Sequence, residues 1–223
     1  ALVEAEMDTF HIPGAAIAVI QDGEVVLSRG FGVRNVETGD PFTPQTQFRI
    51  GSTTKSMTSL MIAQLVDEGV LAWDTLVSDI YPAFETSDPD LTAQLTVADL
   101  MSMGTGLQND GLESLGWGEW TEDDLFASIA AMPVAGEYRQ DYSYNNEVYA
   151  SAAYVAAVAA GELMTLDSYK QLMQTRVFDP IGLPATLITD ERGELGDNYA
   201  DSYSFDLING ITVPVPVLPA PIH

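Results

Sequence analysis

The stretch Ser52-Thr53-Thr54-Lys55 sets a hydroxyl three residues ahead of an amine. On a helix, that spacing puts both side chains on one face and within reach of each other. A serine hydroxyl is a weak nucleophile until a neighbouring base takes its proton. Lysine serves as that base where burial and neighbours disfavour the ammonium. A helix start contributes too, because its positive end opposes an ammonium and favours a developing oxyanion. The bland alternative is a serine N-cap beside a solvated lysine. Two features weigh against it. A cation in a first turn opposes the macrodipole. Lys55 and Lys170 are also the only lysines, so a chance pairing at this spacing is expected about 0.1 times. Acyl transfer with Ser52 as nucleophile and Lys55 as base is the chemistry these residues suggest.

Composition narrows the rest. The 223 residues contain no cysteine and two histidines, His11 and His223. Thiol nucleophiles and cysteine-zinc sites are excluded, and no metal or cofactor is expected. A serine-histidine-acid triad is disfavoured for the same reason. The formal net charge is -25, which repels nucleic acid and anionic membranes. A small-molecule or peptide substrate is the expected partner. The acidity also fits a high-salt setting, where such self-repulsion is screened. No apolar run approaches the ~20 residues that span a bilayer. The start, Ala1-Leu2-Val3-Glu4, has no basic leader-like segment. A secreted or periplasmic location is the expectation.

Elements must position the pair. A short helix is expected over 2–10, broken at Pro13-Gly14. Strands over 15–20 and 24–31 flank Gln21-Asp22-Gly23, and an Asp-Gly between such runs signals a hairpin. A long helix is expected over 52–68, with Met57, Leu60, Met61 and Leu65 as its apolar stripe and Gly69 closing it. Further helices are expected over 96–103, 121–131, 147–160 and 165–178, the last stopped by Asp179-Pro180. Thr121 and Asp124 form a capping-box pattern. Residues 104–120 read as loop, and 211–217 as an extended edge. The class is α+β: residues 1–50 form a helix and hairpin, and 51–223 a mainly helical body. Two clear strands make an incomplete sheet.

The context of the pair is specific. Phe48-Arg49-Ile50-Gly51-Ser52-Thr53-Thr54-Lys55-Ser56-Met57-Thr58 resembles the first motif of the family containing class C β-lactamases, DD-peptidases and family VIII esterases. Tyr144-Asn145-Asn146 resembles that family's Tyr-x-Asn motif and likewise precedes a helix. Ile12-Pro13-Gly14, the stretch from Leu100 to Leu107, and Pro180-Ile181-Gly182-Leu183 are similar as well. The resemblance implies an α/β sandwich, an antiparallel sheet flanked by helices, beside a helical subdomain. It implies that Ser52 is acylated and that Lys55 and Tyr144 move its proton. Asn146 would hold Lys55 or bind substrate, and Gln108, with Asn109, would lie in a loop near the site. Trp117, Trp120 and Tyr138 are expected to pack.

The family's third motif, a Lys-Thr-Gly or His-x-Gly strand, has no counterpart here. The chain is therefore expected to be the N-terminal portion of a larger enzyme, or to be completed by a second polypeptide. A serine hydrolase acting on a β-lactam, a D-amino-acid peptide or amide, or an ester is the leading expectation. A non-catalytic penicillin-binding-like module, or an inactive fragment, is the alternative.

Overall fold

The computed structural model describes residues 2–108, 121–184, 186–189 and 195–215. Asn109, Trp117, Trp120, Pro216, Val217 and His223 lie outside these described residues. The described residues fall into two compact units, 2–49 with 195–215, and 50–108 with 121–184 and 186–189.

The first unit opens with α1 (Leu2–Phe10). Strands β1 (Gly14–Gln21) and β2 (Glu24–Gly32) pair antiparallel, with Gln21 opposite Glu24. Asp22 and Gly23 between them both take positive φ, 53° and 82°. That is the two-residue geometry for which Asp-Gly is suited. A second hairpin joins β3 (Tyr203–Asp206) to β4 (Ile211–Pro214). Sequence reading anticipated an extended 211–217 but missed β3. Its turn, Leu207 to Gly210, carries two exposed apolar residues in place of the usual polar signal. The Asp206 carboxylate closes that turn by accepting from the N–H groups of Ile208 and Asn209. Gln47 ties the two sequence ends of the unit together. Its N–H donates to Asn198 O at 2.8 Å, and its carbonyl accepts from Ala200 N–H at 2.8 Å.

The second unit is helical. A 3-10 turn over Gly51–Thr53 runs into α2 (Thr54–Asp67). Two short helices follow, α3 (Val77–Ile80) and α4 (Pro89–Thr92), and then α5 (Val97–Ser102). After them come α6 (Glu122–Ala131), α7 (Asn146–Ala159) and α8 (Leu166–Met173). The side chains of Thr96 and Thr121 cap α5 and α6 through capping boxes closed by Asp99 and Asp124. Two expectations need correction. The buried stripe of α2 is Thr58, Met61, Ile62 and Leu65, whereas Leu60 is 43% exposed. The helix has turned so that the Lys55 side packs inward against α7 and α8. The chain also does not stop at Pro180. The helical path runs on through a π-helical stretch, Gln174–Phe178, into α9 (Asp179–Ile181), which contains Pro180.

The core gathers around α7, whose alanines let neighbouring helices approach closely. Val148 and Val155 are fully buried there, each worth about 1.5–3 kcal/mol of apolar burial. Two loops meet at Gly106 and Gly136, beneath the segment that leads to Tyr144. Gly106 has φ +76°, and a Cβ on it would stand 2.5 Å from Gly136 O. Gly106→Ala is therefore expected to destabilise the protein by about 2 kcal/mol. A urea titration reads this as a lower midpoint; an unchanged midpoint would show that the loops yield freely.

Candidate active site

Ser52 lies within the 3-10 turn in helical conformation, and neither it nor Thr53 caps the helix with its side chain. Gly51, just before it, has φ +52°, a backbone state that glycine adopts without strain. The serine hydroxyl is thereby free for other partners. Ser52 Oγ and Tyr144 OH are 2.6 Å apart. Lys55 Nζ donates to Ser52 Oγ at 3.3 Å and to Asn146 Oδ1 at 2.7 Å. The same ammonium stands 5.0 Å from the Tyr144 ring centre and 5.4 Å from that of Tyr149, both cation–π distances.

The opposite wall owes its geometry to Asn145. This residue is the N-cap of α7, its side-chain oxygen accepting from Val148 N–H. With the cap supplied by Asn145, the Asn146 side chain in the first turn is available to Lys55. Tyr144, outside the helix, reaches Ser52. The Tyr144 phenol is pushed below its ordinary pKa, chiefly by the neighbouring Lys55 ammonium and then by the hydrogen bond with Ser52, while burial opposes both. The phenol is half exposed, so its proton can exchange with solvent.

Four of the five sequence candidates thus meet in one cluster. Gln108, the fifth, shares none of these hydrogen bonds; it is exposed, and its backbone N–H donates to Pro133 O at 3.0 Å. Sequence reading overlooked Tyr149, whose hydroxyl donates to Lys55 O at 2.6 Å and lies 2.7 Å from Ser59 Oγ. The signal was available, since Tyr149 follows Asn146 by three on a helix and so shares its face.

The loop that carries Tyr144 is pinned to α5. The Asp99 carboxylate is buried and accepts from Arg139 Nε at 2.7 Å and Nη2 at 2.9 Å. It also accepts from Tyr138 OH at 2.7 Å and from Thr96 N–H at 2.9 Å. These donors hold it well below the usual carboxylate range, at about 2, against the desolvation that acts the other way. Burial of the Tyr138 phenol, and then its hydrogen bond to the charged Asp99, push that phenol up to about 12. Tyr138, expected only to pack, is part of this clamp. Farther along the loop, Arg139 N–H donates to Gly104 O at 2.7 Å and Ser143 N–H to Met103 O at 3.2 Å.

Among the described residues there is no cluster of histidine and carboxylate groups able to hold a metal, and no helix long and apolar enough to cross a membrane. The chain thus combines a serine–lysine–tyrosine–asparagine cluster with mixed helices and small antiparallel sheets. The family model named Beta-lactamase matches residues 1–211, and the chain belongs to that family, which comprises hydrolases. It is 29% identical over 210 residues to penicillin-binding protein 4 of Amycolatopsis lactamdurans, covering 89% of this chain and 53% of that one. It is 30% identical over 210 residues to the unguisins hydrolase ungD of Aspergillus violaceofuscus, covering 88% and 36%. Among solved structures, the octameric penicillin-binding protein homologue from Pyrococcus abyssi superposes with a TM-score of 0.82 at 26% identity, over 99% of this chain and 50% of that one. The chain spans about half the length of penicillin-binding protein 4 and about a third of that of the fungal hydrolase.

Proposed function

We propose that this protein is a serine hydrolase that works through an acyl-enzyme on Ser52, with a β-lactam, a D-amino-acid peptide or amide, or an ester as substrate. The observation that carries this reading is the 2.6 Å contact of Ser52 Oγ with a phenol whose pKa is lowered by Lys55. Ser52 Oγ attacks the carbonyl carbon, and its proton passes to the Tyr144 oxygen, whose phenolate the Lys55 ammonium favours. The new C–O bond forms and the bond to the leaving group breaks. The leaving oxygen or nitrogen takes up the relayed proton, and water later hydrolyses the acyl ester. Asn146 keeps Lys55 in place. The Ser52 N–H, in a first turn where backbone donors have no helical partner, is positioned to stabilise the oxyanion.

Intact mass spectrometry after incubation with p-nitrophenyl acetate or benzylpenicillin tests this. Wild type gains one acyl group, mapped to the peptide bearing Ser52, and Ser52→Ala gains none. Equal labelling of the two proteins would overturn the assignment and favour a non-catalytic binding role.

A second polypeptide, or more of a longer chain, is part of the proposal. Val19, Ile20, Val25, Val26 and Leu27 of the first hairpin are between 41% and 66% exposed. A bare apolar ribbon of two strands is marginal in water, so covering strands suit it. The location proposed is secreted or periplasmic, and the acidity suits high salt.

A further inference from the structure

A cavity of about 140 Å³ lies within the helical unit beside the nucleophile. Its exposed end is lined by Gly51 and Ser52. Deeper, its walls are Thr54 and Thr58 of α2, Tyr149, Ala150 and Ala153 of α7, and Tyr169 of α8. From Ser52 to Thr58 the helix climbs about 9 Å, so the cavity runs inward from the reacting oxygen along the helix axis.

Its chemistry is narrow. Lys55 is the one charged side chain among the lining residues, and it is already engaged by Asn146 and Ser52. Thr58 and Tyr169 satisfy each other at 2.8 Å. Apart from Gly51 and Thr54, the remaining surface consists of alanine methyls and tyrosine rings. Tyr154 also lines the cavity, and its buried hydroxyl has no partner among the described residues. Burial raises its pKa and keeps it neutral. A native cavity of this size beside a nucleophile needs a reason, because interiors otherwise close-pack. Apolar cavities of about 150 Å³ bind benzene, so a phenyl ring fits the space.

We propose that this cavity is the acyl-group pocket, and that it selects compact, uncharged acyl groups of phenyl size, such as phenylacetyl, over charged or extended ones. The proposal rests on Ser52 as the nucleophile, but its test does not depend on turnover alone. One arm measures binding of 4-fluorophenylacetamide to the Ser52→Ala protein by fluorine NMR, with and without Ala150→Leu. Ala150 is half-buried on the wall, and leucine there fills the cavity without weakening the helix. The second arm measures the ratio of kcat/KM for p-nitrophenyl phenylacetate to that for p-nitrophenyl acetate.

Binding is expected in Ser52→Ala and at least tenfold weaker with Ala150→Leu added. The ester ratio is expected to fall at least tenfold in Ala150→Leu. Ala150→Val, a smaller filling, gives the same signs with lower amplitude and serves if the leucine variant fails to fold. An amide that fails to bind, or a ratio indifferent to Ala150, overturns the pocket, even if acetate still labels Ser52. Binding that Ala150→Leu abolishes, in a protein that no ester acylates, upholds the pocket and overturns the nucleophile instead.

Discussion

Replacing Lys55 with methionine is expected to slow acylation of Ser52 by about 10² to 10⁴-fold, the usual contribution of a positioned acid–base group. Methionine keeps much of the length and packing of lysine but removes the ammonium from between Ser52 and Asn146. Single-turnover release of p-nitrophenol measures the rate. The pH profile makes the test sharper. The nearby Lys55 ammonium is the main cause of the lowered Tyr144 pKa. A phenolate accepts a proton only above its own pKa, so the rising limb in wild type lies below the ordinary phenol value of ~10. Without Lys55 that limb moves upward, and in Tyr144→Phe it disappears. A limb that stays in place in Lys55→Met would remove Tyr144 from the proton path. The loss should be one of rate and not of fold, because the Asn146 amide is only partly buried and water can replace its lost donor.

Asp99→Asn is expected to destabilise the protein by about 3 kcal/mol. Asparagine offers a donor where Arg139, Tyr138 and Thr96 all need an acceptor. The Arg139 side chain is 56% exposed, so solvent screens its charge, and the main loss falls on the buried end of the pair. For a chain of this size, ~3 kcal/mol lowers Tm by about 6–12 °C. The sign of the pH effect follows from the depressed carboxyl. Its contribution is complete above the unfolded value of ~3.9 and is lost as pH falls through about 2. Wild type therefore loses about 1–2 kcal/mol over that window, after allowance for screening, and Asp99→Asn does not lose that part. Urea midpoints for both proteins between pH 5 and pH 2 decide it. Parallel slopes would show that Asp99 is not the group responsible. Because Asp99 anchors the loop leading to Tyr144, the variant should also lose hydrolytic rate.

Residues whose signal is local were legible in the sequence. The Asp22-Gly23 hairpin, the Thr121–Asp124 capping box and the paired Ser52 and Lys55 all follow from rules that span a few residues. β3 was not legible, because its turn is closed by the Asp206 side chain and displays Leu207 and Ile208 to solvent. The face that α2 buries was misjudged because packing against α7 and α8 selects Thr58 and Ile62 over Leu60. Asp99 was invisible as a clamp, since its partners Tyr138 and Arg139 are about forty residues away.

The sequence by itself determined the pairing at the start of the helix: a hydroxyl and an amine one turn apart at its positive end. Periodicity and motif order carried that much because they act within single elements. Only the tertiary structure brought Tyr144 to within 2.6 Å of Ser52 and Asn146 to within 2.7 Å of Lys55, across separations of 92 and 91 residues. Only packing left the cavity behind them, because a void belongs to the fit between helices and to no residue alone.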